Sequence, residues 1–488
     1  MRLSWSSASI PDSHGDVERA VIGGTICMIP CPAKAIVLID GEHYPDVVTG
    51  ALRSLASSYL VVGAVFLGGT EKIKGSDLEK EAEKLYGIPV LFGREPEAAL
   101  GEGIRRWTPD CIVDLSDEPV LGYQQRFRLV SHALAANVAY LGSDFHFNPP
   151  RLERVAQAPS LSIIGTAKRV GKTALSGYVA RRLQESLAGS PGQGVVVVAM
   201  GRGGPSVPEV VDGLDHALSS EELLEWSRQG RHAASDHFED AALSRVTTIG
   251  CRRCGGGLAG QPFVSNVVEG VRLANGLAPA MLILEGSGAS IPPVYTDARL
   301  CVAGANQPLD YVVGYLGLYR LLVSDAVVLA MAEEPLASRD KVKDLIDRMQ
   351  RERPDMPVVP VVFRPRPLDD IQGRVVAFFC TAPGVQLPVL RRHLEEVHGC
   401  RVVLVSGNLA DRRLLRKDLE APQMDRVDTV LTEIKAAAVD VVVEEAACRD
   451  LPVVFVDNDP QEVPPGKVGD LNQVVADLAG LARERYRG

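Results

Sequence analysis

Residues 162–183, SIIGTAKRVGKTALSGYVARRL, join an apolar run, a short loop carrying Lys168, Arg169 and Lys172, and a segment whose Leu175, Tyr178, Val179 and Leu183 recur at helical spacing. Strand, loop and helix in this order make a phosphate-binding loop, because main-chain N–H groups of the loop and the helix start converge on an anion. TAKRVGKT (166–173) follows G-x-x-x-x-G-K-T at every position except the first, where Thr166 stands and Gly165 lies one place earlier. In this register Gly171 lets the backbone approach the phosphates, Lys172 bridges β and γ oxygens, and Thr173 holds Mg²⁺. Gly165, Thr166 and Ala174 complete the cradle. Lys168 and Arg169 either stay solvated or stabilise charge on a phosphoryl group in transit. A plain basic turn before a surface helix is the competing reading, and the apolar strand ahead of it argues against that.

Working outward, the apolar runs AIVLID (35–40), LVVGAVFLGG (60–69), IPVLFG (88–93), CIVDLSD (111–117) and VAYLGSD (138–144) alternate with helix-like segments. Strands buried on both faces and separated by helices predict a parallel, doubly wound sheet. Three prolines in NPPRLERVAQAPS (148–160) interrupt the pattern. A second series follows at LSIIG (161–165), GVVVVAMG (194–201), PAMLILEG (279–286) and DAVVLAM (325–331), and six more runs follow the linker-like RERPDMP (351–357). The expected fold is α/β: an irregular extension over 1–34, a Rossmann-like N-terminal parallel-sheet domain over 35–152, a larger P-loop nucleotide-binding core over 158–355, and a C-terminal α/β region over 356–488. Whether that last region extends the P-loop sheet is left open by sequence.

The 488 residues suit about three domains, and 46% hydrophobic with 23% charged residues is the usage of a folded globular chain. Fifty-two basic against 62 acidic residues give a net charge of −10, which argues against nonspecific nucleic-acid binding and requires local basic clusters for any phosphorylated ligand. Nine scattered cysteines, no secretory signal pattern and no apolar run near 20 residues point to a cytoplasmic protein without a membrane span.

Further candidates lie where parallel sheets bind ligands, at the carboxyl ends of strands. Glu285 closes the run LILE ahead of GSGAS, where a carboxylate can organise Mg²⁺ or its waters. Arg202 follows a buried run in AMGRGGP, and Arg252 and Arg253 precede three glycines in GCRRCGGG; all three are candidate phosphate ligands. Cys251 and Cys254 lack the further ligands that zinc needs, and an anion-binding loop explains the segment more simply than a redox pair. RHAASDHFEDAAL (231–243) has His232, His237, Asp236, Glu239 and Asp240, for which a solvated helix face is the leading reading and catalysis the lesser. In the first domain His43, with Asp40 and Glu42, and later Arg126 and Arg128, with Asp114, Asp117 and Glu118, occupy strand-end positions. The acids fit turn or helix caps equally well, and the arginines could bind substrate phosphate if that domain folds over the loop.

GTAKRVGKT with a downstream EGSG resembles the dethiobiotin-synthetase-like branch of P-loop ligases. DGEHYP, FLGGTEK, DLSDEP followed by RFR, DFHFNPP, AMGRGGP, GCRRCGGGLAGQPFVSN, EGSGAS and KAAAVDV, in that order from Ile39 to Asp457, resemble the cyclic 2,3-diphosphoglycerate synthetase family. That resemblance implies an ATP- and Mg²⁺-dependent closure of 2,3-diphosphoglycerate to its cyclic phosphoanhydride, with ADP and phosphate released, in a homodimer. Catalysis would then fall to Lys168, Arg169, Lys172, Arg202 and Glu285, and substrate binding to Arg202, Arg252, Arg253, Arg126, Arg128 and His43. A kinase or ligase for another phosphorylated or carboxylated metabolite shares the same loop. A nucleotide-switch protein fits less well, because neither a K-G-G-x-G-K-T loop nor an N-K-x-D guanine motif is present.

Overall fold

The computed structural model describes residues 32–69, 71–72, 78–93, 95–187, 194–214, 218–230, 235–464 and 470–487. Residues 1–31 of the expected extension, and His232, lie outside them. The first sheet holds β1 (Ala33–Ile39), β2 (Tyr59–Phe66), β3 (Val90–Phe92), β4 (Cys111–Asp114), β5 (Ala139–Leu141) and β6 (His146–Phe147), in the order β3-β2-β1-β4-β5-β6. Its strands are parallel apart from β6, which is antiparallel to β5. Side chains of β1 alternate between two apolar clusters, Ile36 and Leu38 in one and Ala35, Val37 and Ile39 in the other. A strand covered on both faces must be apolar throughout, which is why AIVLI shows no polar alternation. The strand order reverses beside β1, so a crevice opens between the carboxyl ends of β1 and β4.

The second sheet continues with β7 (Ser160–Gly165), β8 (Val195–Gly201), β9 (Glu209–Val211), β10 (Thr247–Cys254), β11 (Val264–Ser265), β12 (Met281–Glu285), β13 (Ala298–Gly304), β14 (Ala326–Ala330), β15 (Val358–Pro367), β16 (Val375–Phe379), β17 (Arg401–Ser406), β18 (Thr429–Thr432) and β19 (Val453–Glu462). Its order is β11-β10-β8-β12-β7-β13-β14-β15-β19-β18-β16-β17, with β9 on β10. From β10 to β15 the neighbours are parallel, with β7 in the middle. Strand β15 starts parallel to β14 and then pairs antiparallel with β19 from Val361 to Pro367. Hydrogen bonding therefore runs unbroken from the P-loop strands into the C-terminal ones. The last helix, Leu471–Arg487, returns to pack Val474, Val475, Leu478 and Ala482 into the same cluster as Leu161, Ile163 and Leu175.

The two sheets share a core. Helix Tyr123–Ala135 lies against helix Gly317–Leu322, and Leu129, Val130 and Ala133 join Leu316, Tyr319 and Leu321 in one buried cluster. Burying such side chains is worth about 1.5–3 kcal/mol each, enough to hold the two layers together. The proline-rich segment is more than a tether: Glu153 exchanges main-chain hydrogen bonds with Pro293 and Tyr295, and Val155, Ala156 and Ala158 pack on the P-loop side.

Candidate nucleotide and phosphate site

The loop after β7 is shaped to receive an anion. Arg169 and Gly171 adopt φ of 62° and 93°, a left-handed conformation that turns successive N–H groups to one side. No main-chain or side-chain acceptor takes the amides of residues 167–174 among the described residues, so they remain available at the start of helix Lys172–Ser186. Gly165, off the motif by one place, has a clear physical role. A Cβ there would lie 2.9 Å from Lys172 Cδ, so only glycine lets the lysine stem cross the end of β7. Thr166 turns its hydroxyl away to Gln307 Oε1, at 2.6 Å, and its amide bonds Val302 O. Val170 is buried and anchors the loop, whereas Lys168 and Arg169 are exposed at its tip and form no ion pair among the described residues.

Lys172 is buried, with Nζ donating to Ala167 O at 2.8 Å. Burial pulls its pKa down to about 8 against the opposing pull of Glu285 and Asp236. Thr173 Oγ1 donates to Glu285 Oε1 at 2.7 Å, so the two residues expected to serve Mg²⁺ do meet. Glu285 is itself buried at the end of β12, and burial raises its pKa.

A third group completes this wall. Helix Asp236–Ser244 is the reverse of the solvated face expected from its composition, since every residue from His237 to Ser244 is buried. Asp240 faces Glu285. Neither Asp240 oxygen nor Glu285 Oε2 receives a hydrogen bond from a donor among the described residues, and burial followed by Glu285 raises the Asp240 pKa. Two buried carboxyls in this relation need either a shared proton or a cation between them. No trio of His, Cys, Asp or Glu among the described residues forms a ready metal cage. Two carboxyls with a hydroxyl nevertheless suit Mg²⁺, which takes few protein ligands and fills the rest with water and phosphate. The burial of Asp240 is hidden from sequence because part of the cover over its helix, Ile434, Val439, Val443 and Phe455, comes from about 190 positions and more away, beside Val211, Leu223 and Leu224 nearer in the chain.

The arginines separate into two groups. Arg202, exposed after β8, and Arg253, buried on β10, converge on Gly288, where a Cβ would lie 2.9 Å and 3.1 Å from their terminal nitrogens. Neither forms an ion pair among the described residues, although Asp236 lies within reach of the Arg253 charge: Arg253 bonds Gly255 O and Ser287 O, and its Nε has no acceptor there. The proximity of Arg202, after burial, lowers the Arg253 pKa, and two cations so placed mark an anion subsite. Arg252 does not share it. It precedes Arg253 within a strand, points to the other face and is exposed. The same alternation separates buried Cys251 from exposed Cys254, and burial pushes the Cys251 thiol up to about 12.

The candidates of the first domain are occupied. Asp40 accepts from the amides of Glu42, His43 and Asp117, and from His43 Nδ1 at 2.8 Å. Arg126 pairs with Asp114 at 2.8 Å and donates to Ser116 O. Arg128 bridges Glu97 and Glu352, at 2.7 Å and 2.9 Å, and so ties the first domain to helix Arg339–Glu352. An anion reaching Arg128 would first have to displace these two carboxylates.

Three family models match the chain, all describing cyclic 2,3-diphosphoglycerate synthetase: its N-terminal domain over residues 34–148, its P-loop domain over 160–362 and its C-terminal domain over 367–459. The cyclic 2,3-diphosphoglycerate synthetase of Rubrobacter xylanophilus is 51% identical over 93% of this chain and 100% of its own length. Those of Thermococcus onnurineus and Methanothermus fervidus are 45% and 41% identical, over 91% and 93% of this chain and 98% of each relative.

Proposed function

The chain belongs to the cyclic 2,3-diphosphoglycerate synthetase family, and from that footing we propose that it uses ATP to close 2,3-diphosphoglycerate into its cyclic phosphoanhydride, releasing ADP and phosphate. The observation that carries the site assignment is the facing of two unsatisfied sets. Bare loop amides and Lys172 lie beside the Thr173, Glu285 and Asp240 wall, and Arg202 and Arg253 converge on the Gly288 turn that follows Glu285.

A phosphate oxygen is a poor leaving group, so ring closure needs activation. One substrate phosphate attacks the γ-phosphorus of ATP, the bond to the β-phosphate oxygen breaks, and ADP leaves. The substrate then carries a pyrophosphate. An oxygen of the neighbouring phosphate attacks its inner phosphorus, orthophosphate departs, and the ring closes. The second step is intramolecular, so the protein's main task is to hold two anions close.

The amides of 167–174 would orient the triphosphate, and Lys172, drawn from Ala167 O to the β and γ oxygens, would follow charge as it moves. Lys168 and Arg169, exposed at the loop tip, would screen the charge of the incoming substrate. Arg202 and Arg253 would grip its phosphates, with Arg252 at the entrance. Thr173, Glu285 and Asp240 would hold Mg²⁺, which would supply charge neutralisation for the triphosphate. Residues 40–43 and 114–128 would serve the first domain's own loops more than the substrate. No helix of the described residues is long and apolar enough to cross a membrane. A cytoplasmic homodimer without nucleic-acid partners completes the reading, supported by the family resemblance and the net charge of −10.

The test is incubation with ATP, Mg²⁺ and 2,3-diphosphoglycerate, followed by phosphorus NMR. The expected result is a cyclic product with phosphoanhydride shifts, formed one-for-one with ADP. ADP release with another phosphorylated or carboxylated metabolite, and none with this one, would reassign the substrate.

A further inference from the structure

The segment KAAAVDV (435–441) has no place in the nucleotide loop or the arginine subsite, yet the fold sets its first residue against the acid helix. Lys435 stands just beyond the carboxyl end of β18, and its Nζ lies 3.1 Å from Glu239 Oε1, next in sequence to Asp240. The following residue, Ala436, has φ of 48°, and the chain then enters a π-helix over Ala438–Val443. Both conformations are disfavoured and persist only where surrounding contacts over-determine them. Those contacts are present: Ile434, Val439 and Val443 pack with Phe238, Ala241, Ala242 and Leu243 of the acid helix. A second tie lies alongside, where Arg181 of the nucleotide helix pairs with Asp457 and Asp459 of β19. Glu433 is engaged by Thr381 and Asn458, so Glu239 is the carboxylate that Lys435 contacts directly.

Charge explains why a lysine is needed here. Asp240 lies close enough to Glu285, Glu239 and Asp236 to be influenced by each of them. Lys435 is the ammonium that contacts Glu239, and Glu433 and Asp457 also lie within its influence. Without Lys435 the buried Glu239 would lose the cation it contacts, and the helix that carries Asp240 would lose that tie to the C-terminal region. We infer that Lys435 is a positioning residue of the metal-binding wall: it fixes Glu239 and, through the helix turn they share, aims Asp240 at Glu285 and Thr173. The inference rests on the reading of Thr173, Glu285 and Asp240 as the groups that hold the metal. It makes the C-terminal region part of the nucleotide site.

The experiment uses the full-length chain with ADP present and titrates Mn²⁺, followed by loss of the free-ion EPR signal. Lys435→Met is expected to weaken Mn²⁺ binding by about tenfold or more, Lys435→Arg to bind within about threefold of the parent, and Glu285→Gln to lose the tight site. Should Lys435→Met fail to fold, Lys435→Met with Glu239→Gln removes both charges together and leaves no buried carboxylate without its partner; weakened Mn²⁺ binding is expected there too. Parent-like Mn²⁺ affinity in the methionine variants, with Glu285→Gln impaired, overturns the role of Lys435 and leaves the metal site standing. Equal weakening by methionine and arginine also overturns it, since charge would then not be what matters. Parent-like affinity in Glu285→Gln removes the metal site and the inference with it.

Discussion

Two crevices in this molecule obey the same topological rule and end differently. At the carboxyl ends of β1 and β4, Asp40, Asp114, Arg126 and His43 satisfy one another and the local backbone. At the carboxyl ends of β7, β8, β10 and β12, the loop amides, the Asp240 and Glu285 Oε2 oxygens and Arg253 Nε find no complementary donor or acceptor among the described residues. A buried polar group costs about 1–3 kcal/mol when unpaired, more when charged, so a fold retains such groups where a ligand completes them. Position marks both crevices as candidates. Unsatisfied chemistry distinguishes them.

The contrast is broken most directly at Lys172. Replacing it with alanine should reduce ATP-dependent turnover by about 10³-fold or more while circular dichroism stays that of the parent, because the lysine stabilises phosphates and not the core. Near-normal ADP release would place the reaction elsewhere. Next in size, Asp240→Asn should lower activity roughly 10²-fold and raise the Mg²⁺ concentration needed for half-maximal rate. In the first crevice, Asp40→Asn should leave that Mg²⁺ requirement unchanged, and a matching rise would erase the distinction drawn here.

How much of this was legible in sequence differs between the same regions. The strand and loop at 160–174 announce themselves, because a strand buried on both faces is apolar along its length and a phosphate cradle demands glycine, lysine and threonine at fixed spacing. Even the displaced Gly165 is local in cause, since it clears the path of Lys172. Asp240 was legible only as a lesser catalytic candidate, and Lys435 only as the first residue of KAAAVDV. Their importance comes from contact between segments about 190 residues apart, and a helix rich in acids reads as solvated until the strand that covers it is placed. The pair Arg252 and Arg253 looked like one loop element, but β10 extends through Cys254 and alternation sends the two side chains apart. The continuity of the C-terminal strands with the P-loop sheet depends on β15 turning from a parallel to an antiparallel neighbour, which no local pattern encodes.

That alternation sharpens the comparison at smaller scale. Arg253→Met should raise the KM for 2,3-diphosphoglycerate by roughly tenfold or more, the worth of a charge-assisted hydrogen bond, and Arg252→Met by only about twofold. Steady-state kinetics at saturating ATP separates them. The smallest effect belongs to the first domain. Arg128→Met should leave KM unchanged and lower unfolding free energy by about 1 kcal/mol, since its two partly exposed ion pairs serve only to join the layers. Urea denaturation measures that loss.

The most direct test is a crystal structure with a non-hydrolysable ATP analogue, Mg²⁺ and 2,3-diphosphoglycerate. The β- and γ-phosphates should rest on the amides of 167–174, the metal should touch Thr173, Glu285 and Asp240, and a substrate phosphate should lie between Arg202 and Arg253. Substrate bound instead among Asp40, Asp114 and Arg126, with the loop empty, would contradict the account.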